Sequence, residues 1–506
     1  MSKERRAQKQ KERDERLLEM QRTGKAVRVY HEDRAKKKAQ PNRKNSAKTP
    51  EEEMEDRQET VERATALYRQ MLPSLLKKLS RIKDPRQLGK VKHKLTVLMA
   101  YGILLFVYQT GSRREANKNM SKPIFWSNVM AMFPEIESIP HADTLARLLE
   151  RIDVEEIQDC LVELLQDLIH RKKFKNLLIN KRYLLAVDGS QKFYRNYEWE
   201  AEALKRHVGG EARIPQYYVY VLESVLVLDN GIVLPVLTEI LDNKDWVEGE
   251  NKQDCESKAF KRLAAKLYKI FGKGKVTLIA DGLYACGPVI RKCREYQWDY
   301  MIVLKEDGLP DVWKESAGLM RLDPSNCINV QWGDRHQVYQ WANGIEYDHG
   351  INSRYTEILH VVICYESWTE EHTRSSKTVE EQVTRYAWIS SKPLTTQNVF
   401  TRCTKMARNR WKIENNFLIE KHEGYSFEHC YSYDWQAMKG FHYLMKIGHF
   451  LNVMAVNSEL LLKYVNESGI RGFINDLWIA LSGALLNVQR IADVVGKKHI
   501  WKLRVE

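Results

Sequence analysis

Two short apolar runs near the middle of the chain have the same form, because each is followed directly by Asp-Gly. Residues 183–187 precede Asp188, and residues 276–280 precede Asp281. Continuous apolar runs of this length, bounded by turn residues, are typical of strands buried on both faces. We therefore predict two strands that each end at an aspartate. Neighbouring strands lie about 4.8 Å apart, so the two carboxylates could bind one pair of divalent ions. Turn chemistry alone also explains each Asp-Gly pair.

The apolar and polar pattern before the first run is helical. Residues 95–108 form the longest apolar run, which is shorter than the roughly 20 residues that a membrane span requires, so we predict a core helix. Asp143 and Asp153 are expected to cap two short helices that follow. Such a pair is consistent with a helix-turn-helix, although pairs of this kind more often only pack against a neighbouring domain.

Between residues 180 and 304 the pattern changes to alternating strands and helices. Residues 217–228 and 231–241 are rich in β-forming residues and are joined by Asp229-Asn230-Gly231, a strong hairpin signal. The order continues with a helix at 255–271, the strand before Asp281, a helix at 287–296 and a strand at 300–304. This order predicts an α/β fold with a mixed sheet. The predicted regions are 1–60 (basic charged arm, disordered or partly helical), 61–175 (helical, DNA-binding), 176–304 (first part of the core), 305–385 (β-rich insertion), 386–455 (second part of the core) and 456–506 (helical C-terminal segment).

A charged stretch late in the chain predicts a helix with a functional face. If residues 410–421 are helical, then Arg410, Glu414, Phe417 and Lys421 share one side, since each residue advances about 100° around the axis. Arg410 and Glu414 would also form an ordinary surface pair at spacing i,i+4.

Taken together, these motifs resemble the DDE transposases of bacterial insertion sequences. In one branch of that family the third acid lies in the pattern Tyr-x2-Arg-x3-Glu-x6-Lys, which this chain matches at Arg410, Glu414 and Lys421. Ala407 stands at the Tyr position; it lies about 60° around the helix from Arg410, so we expect a tyrosine there to be tolerated. Residues 408–415, 428–431 and 444–449 also resemble the family, and the resemblance extends roughly from 95 to 452.

The resemblance implies a ribonuclease-H-like core and metal-dependent DNA cleavage at element ends, followed by strand transfer into target DNA. It assigns Asp188, Asp281 and Glu414 as catalytic residues that bind two Mg²⁺ ions, with Mn²⁺ as a substitute. Double-stranded DNA is the expected partner, a homodimer is expected in the synaptic complex, and no nucleotide cofactor or membrane is expected. The DNA-contacting residues that we predict are Arg408, Arg410 and Lys421 for phosphates and, within the β-rich insertion, Trp332 and Trp341 for a displaced base. Core packing is the alternative for both tryptophans.

Composition adds an uneven charge to this picture. The net charge is +14, and residues 1–49 hold 17 Lys or Arg against 7 Asp or Glu, a net of +10. The first segment is therefore either an arm that contacts phosphates without sequence preference or a solvated tail. The chain begins without the apolar segment of a secretory signal, and its eight cysteines form no Cys-x2-Cys pair, so we expect a cytoplasmic, nucleoid-associated protein.

Two rival functions remain at this point. One is a ribonuclease-H-like nuclease specific for DNA structure, which cuts but never joins. The other is a non-catalytic DNA-binding protein derived from a transposase. Metal-dependent nicking of DNA would exclude the non-catalytic DNA-binding protein. Strand joining would exclude the nuclease.

Overall fold

The computed structural model describes residues 29–34, 42, 44–244, 246, 252–372, 378–497 and 499–505. These residues form a mixed α/β structure with a large mixed sheet. The helices in them are α1 Pro50–Tyr68, α2 Leu72–Leu79, α3 Leu95–Val107, α4 Arg113–Met120, α5 Pro123–Met132, α6 Ala142–Leu149, α7 Glu155–His170, α8 Glu256–Phe271, α9 Gly287–Tyr296, α10 Pro310–Leu322, α11 Trp411–His422, α12 Trp435–Val456, α13 Leu462–Gly483 and α14 Val488–Val495. The strands are β1 Val29–Glu32, β2 Tyr183–Arg195, β3 Leu204–Val208, β4 Ile214–Val227, β5 Val233–Ile240, β6 Val276–Ala280, β7 Asp299–Val303, β8 Cys327–Trp332, β9 Arg335–His349, β10 Tyr355–His372 and β11 Thr378–Ser390.

The chain divides into two compact units. The first unit comprises residues 1–38, 179–187 and 271–411, and the second comprises residues 39–178, 188–270 and 412–506. Strand β2 contributes its first five residues to the first unit and the rest to the second. Within the described ranges, no helix is both long and apolar enough to span a membrane.

The sheet of the first unit has the strand order β1-β8-β9-β10-β11-β7-β6-β2. Strands β2, β6 and β7 are parallel neighbours, with Val187 opposite Ala280 and Ala280 opposite Ile302. Four of the five paired β2 residues and all five residues of β6 are buried, as expected for parallel strands that are covered on both faces. The two predicted strands and their adjacency are therefore confirmed.

The β-rich segment after β7 is confirmed, with two differences from the prediction. It opens with helix α10, which the sequence pattern did not predict. It is also continuous with the core, because β11 starts inside the predicted 305–385 segment and its last residues pair antiparallel with β7, Trp388 with Val303. The predicted boundary at 385/386 therefore falls within a strand.

The second unit contains the predicted hairpin and most of the helices. Strands β4 and β5 pair antiparallel, with Val227 opposite Val233, and Gly231 in the turn has a φ of +86°, where glycine is favoured. Helix α3 is buried along nearly its whole length, which confirms the core helix. Glycine lets it approach α12 closely, since a Cβ at Gly102 would lie 2.7 Å from a Leu444 methyl carbon.

Several boundaries predicted from sequence are wrong. Helix α1 begins at Pro50, inside an arm that was predicted to be disordered or partly helical, and Val29–Glu32 is a strand that pairs parallel with β8. Residues 1–28, 35–41 and 43 of the arm lie outside the described residues. The cap of α6 is His141, whose ring nitrogen accepts from the Asp143 amide, so Asp143 lies in the first turn. Within the predicted helical C-terminal segment, α13 ends at Gly483 and Asn487 caps α14.

Candidate active site

Asp281 lies where it was predicted, at the end of β6 in the first unit. It caps a single 3₁₀ turn, and its carboxylate accepts from the Gly282 amide. Its second oxygen lies 2.9 Å from the Lys305 ammonium. Gly282 leaves room for that lysine, because a Cβ there would lie 2.6 Å from Lys305 Cγ. The carboxylate is half-buried and already faces a cation.

Asp188 differs from the prediction, because β2 does not end there. The strand continues through Asp188 and Gly189 to Arg195, and Gly189 donates its amide to Asp188 Oδ1 at 2.9 Å. The parallel register nevertheless pairs Val187 with Ala280, the residues that directly precede the two aspartates.

A tyrosine and a glutamate flank Asp188 in the second unit, and the sequence pattern did not predict them. The Tyr220 hydroxyl donates to Glu256 at 2.7 Å, and burial, followed by this hydrogen bond, raises the pKa of Tyr220. A Cβ on Gly189 would lie 2.6 Å from the Tyr220 ring and 2.9 Å from the Glu256 carboxyl carbon. A side chain at position 189 would force Tyr220 or Glu256 to move, so the second residue of the Asp-Gly pair allows this close packing.

The segment that carries Glu414 is not one regular helix. Residues Thr401–Met406 form a π-helix and Ala407–Arg410 a 3₁₀ turn, and the α-helix begins only at Trp411. Arg410 is therefore the last residue of the 3₁₀ turn, and the helix predicted over 410–421 begins one residue later, at Trp411. Glu414 is half-buried in the first turn of α11, and Lys421 lies on the same helix. Lys421 forms an ion pair with Glu428 at 3.1 Å.

Helix α11 is anchored in the second unit by a buried ionic network. Glu420 is completely buried and accepts from Lys446 at 2.5 Å and from His449 at 2.7 Å. Lys446 also bonds to Glu223 on β4. Burial alone would raise the pKa of Glu420, but Lys446 and His449 lower it to about 2, whereas burial raises the pKa of Glu223 to about 7. Glu420 thus remains ionised and fixes α11 to α12.

A cavity in the first unit collects cationic side chains. Its volume is about 370 Å³, and its lining includes Lys305, Arg385, Arg408 and Arg410. Two of these are the predicted phosphate-binding residues, and Lys305 is the residue that meets Asp281. Arg410 is buried, with its guanidinium carbon 4.7 Å from the centre of the Trp411 ring. Glu306 and Asp307 also line the cavity, so its four cations outnumber its two acids, and cationic side chains of this kind bind phosphate.

Arg408 also has a structural role. Its guanidinium bonds to the fully buried Glu366 and lies between the rings of Trp332 and Tyr386, at 5.4 and 4.7 Å. Glu366 is further neutralised by Arg335 at 3.2 Å. Arg408 thus balances a buried carboxylate at the edge of the cavity.

The two tryptophans predicted to support a displaced base differ in exposure. Trp341 is 2% exposed, so its ring is core packing and cannot stack on a nucleobase without rearrangement. Trp332 is half-buried at the end of β8, and it packs against Phe400 and against the guanidinium of Arg34 at 5.2 Å. Packing accounts for both residues.

The chemistry of the predicted acids suits a hard divalent cation. Asp188, Asp281 and Glu414 are half-buried carboxylates, and oxygen donors of this kind are the ligands that Mg²⁺ prefers. Asp281 belongs to the first unit and the other two to the second. Among the residues that the structure describes, no group of three or more His, Cys, Asp or Glu side chains is close enough to hold a metal ion.

Comparison with known proteins identifies one similar family. A family model described as DDE_Tnp_1-associated matches residues 76–165, which include helices α3 to α6 and most of α7. No curated protein matches the chain. The matched segment lies outside the acidic residues described above, and it points to the DDE transposase family.

Proposed function

We propose that this protein is a DNA transposase that cleaves DNA at the ends of its element and joins the freed strand to target DNA. The observation that carries the proposal is the parallel register of β2 and β6, in which Asp188 and Asp281 each follow a paired residue. The family match at 76–165 supports the same conclusion from a different part of the chain.

A ribonuclease-H-like core is part of the proposal. In the first unit β2 has the parallel neighbour β6, which in turn has β7. In the second unit β4 pairs antiparallel with β5. The chain order of strand, hairpin, helix, strand, helix and strand supports such a core. Helix α11, which carries Glu414, begins directly after the π-helix and the 3₁₀ turn.

Each part of the site has a proposed role. Asp188, Asp281 and Glu414 would hold Mg²⁺, for which Mn²⁺ could substitute. When bound, the metal lowers the pKa of an attacking hydroxyl group and neutralises charge on the leaving oxygen. Lys305, Arg385 and Arg410 would orient the DNA backbone by binding its phosphates in the cationic cavity. Lys305 already bonds to Asp281, so this ammonium would have to leave the carboxylate if Asp281 bound a cation, and a DNA phosphate could then accept it.

Isosteric substitution of the three acids tests the proposal. Asp188→Asn, Asp281→Asn and Glu414→Gln each remove a negative charge while keeping the side-chain shape. We expect each variant to fold and to bind duplex element ends as well as the parent does, and to lose Mg²⁺-dependent nicking and joining almost completely. The losses should be non-additive, because the acids act as one unit.

Matched controls are two exposed acids, Asp311→Asn on α10 and Glu423→Gln just after α11, which should behave like the parent. The assay is gel analysis of labelled DNA that carries the element's own ends. Near-parental cleavage by Glu414→Gln contradicts the proposed role of α11. Cutting without joining by the parent would favour a nuclease instead.

A further inference from the structure

Three exposed tyrosines form an aromatic patch in the second unit. Tyr194, Tyr197 and Tyr433, here called the tyrosine patch, are 48%, 56% and 50% exposed. The first two lie at and just after the end of β2, and the third lies in the loop before α12. The Tyr197 and Tyr433 hydroxyls are 3.5 Å apart. Exposed aromatic surface of this kind commonly marks an interaction site.

An arginine holds the patch together. The Arg195 guanidinium donates to the Tyr433 hydroxyl at 3.3 Å and to the Tyr194 carbonyl at 2.7 Å. Its central carbon lies 5.6 Å from the centre of the Tyr433 ring. Beneath the patch, Trp199 packs edge-on against Tyr433 at 6.2 Å and against Trp435 at 5.8 Å. The Tyr433 ring is thus fixed from one side while half of its surface faces solvent.

The surface next to the patch is basic. A groove of about 900 Å³ is lined by Arg113, Arg114 and Lys118 of α4 and by His429 to Tyr431. The Tyr431 hydroxyl donates to the Gly111 carbonyl at 3.1 Å, which ties this loop to the start of α4. Burial, followed by the charges of Lys192, Arg113 and Arg195, lowers the pKa of His429. Arg113 lines the groove and Arg195 lies in the patch, so the positive charges of both features reach His429.

The acids nearest to the patch in sequence are already engaged. Glu198 accepts from the Tyr217 hydroxyl at 3.2 Å, and Asp434 caps α12 by accepting from the Ala437 amide at 2.8 Å. Arg113 in the groove pairs with Asp143 at 3.4 Å, and Glu115 lies close to Gly111 at the start of α4. Positive charge beside open aromatic rings suits a polyanion with flat apolar faces.

We propose that the tyrosine patch stacks on unpaired nucleobases of a DNA strand whose backbone lies in the adjacent basic groove. Aromatic rings beside a basic groove are the general means of binding single-stranded nucleic acid, because every base has a π face and every nucleotide a phosphate. The proposal rests on the proposed function, since it takes DNA as the substrate.

The distance of the patch from Asp188 determines which nucleotides it can bind. Arg195 lies seven residues after Asp188 on the same strand, which is about 23 Å at roughly 3.3 Å per residue. The patch therefore takes bases beyond the reacting phosphate and not the reacting nucleotide itself. About seven nucleotides of one strand span that distance at about 3.4 Å each.

The test compares two DNA substrates on the full-length protein. One is a blunt duplex, and the other is the same duplex with a single-stranded overhang of about eight thymines. Tyr433→Leu and Tyr197→Leu should each weaken binding of the overhang substrate by roughly 5- to 150-fold, the range for removing the stacking of one base. Binding of the blunt duplex should not change. Tyr433→Phe is the matched control, because it keeps the ring, and it should bind as the parent does.

A fluorescence measurement on the parent provides a second readout. The fluorescence of 2-aminopurine in the overhang should fall on binding if the base stacks on a ring, while the same base inside the duplex should show no such change. Equal weakening on both substrates, or unchanged binding by Tyr433→Leu together with no quenching, would overturn the inference and leave the proposed function intact. Failure of the parent to bind any DNA would instead refute the proposed function.

Discussion

Replacing Lys446 with methionine removes the centre of the buried network behind α11. Lys446 is 5% exposed, and its two partners Glu223 and Glu420 are 1% and 0% exposed. Methionine keeps most of the length and apolar volume of the lysine stem. The substitution would therefore leave two carboxylates facing a site without its ammonium, with His449 still bonded to Glu420.

The expected cost follows from the burial of the partners. Breaking a buried ion pair by removing one member costs about 3–5 kcal/mol, because the remaining charge is left uncompensated. Lys94→Met is the matched control, since Lys94 pairs with Glu137 at 2.8 Å but the two side chains are 66% and 57% exposed. Exposed pairs contribute roughly 0–1 kcal/mol. The two lysine variants should therefore differ severalfold in the free energy of unfolding.

Hydrogen exchange with peptide resolution measures this difference where it arises. Protection in α11 and α12 should fall in Lys446→Met and stay at parental levels in Lys94→Met. Adding Glu420→Gln and Glu223→Gln to Lys446→Met should recover part of the stability, because no buried charge then lacks a partner. Equal protection in the two lysine variants would refute the argument that this network fixes the acidic helix.

Three further predictions concern other parts of the chain. The burial of Ala407, which is 3% exposed, contradicts the expectation that a tyrosine is tolerated there. Ala407→Tyr should instead destabilise the first unit by about 1–3 kcal/mol, seen as a lower thermal midpoint, because the core is close-packed; an unchanged midpoint would contradict this. Burial, followed by the charge of Arg402, lowers the pKa of His360 to about 4. Between about pH 6.5 and 4 the unfolded state therefore binds a proton that the folded state does not, and the free energy of unfolding should fall as the pH drops through that window. Urea unfolding of His360→Gln should show a weaker dependence of the free energy of unfolding on pH. Deleting residues 1–49 should flatten the dependence of log K on log salt by about 0.9 for each phosphate that the arm neutralises, and an unchanged slope would exclude the arm from DNA binding.

The parallel strands could be predicted because their evidence is local. A buried strand with neighbours on both sides needs apolar residues at every position, so residues 183–187 and 276–280 carry the signal in their composition. The hairpin was equally predictable, since Asp229-Asn230-Gly231 supplies the positive φ that its turn needs. Each of these inferences used only neighbouring residues.

The errors came from positions where distant contacts decide the conformation. Asp188-Gly189 has the composition of a turn, yet the strand continues because Tyr220 and Glu256 pack against the space that glycine leaves. The π-helix at Thr401–Met406 is similar, since nothing in its composition forbids an ordinary helix. Thr404 in that segment bonds to the buried Tyr339 hydroxyl at 2.6 Å, a partner 65 residues earlier in the chain.

Helix α11 illustrates why sequence alone could not divide its acids by role. Glu414 and Glu420 are both glutamates on one short amphipathic-looking segment, and a spacing argument treats them alike. Burial separates them, because Glu420 has no exposed surface and bonds to both Lys446 and His449, while Glu414 is half-buried in the first turn. Glu420 has no exposed surface and a basic partner on each oxygen, so its role is structural. The half-buried acid is the one that the proposed chemistry requires, and the buried acid six residues later holds its helix in place.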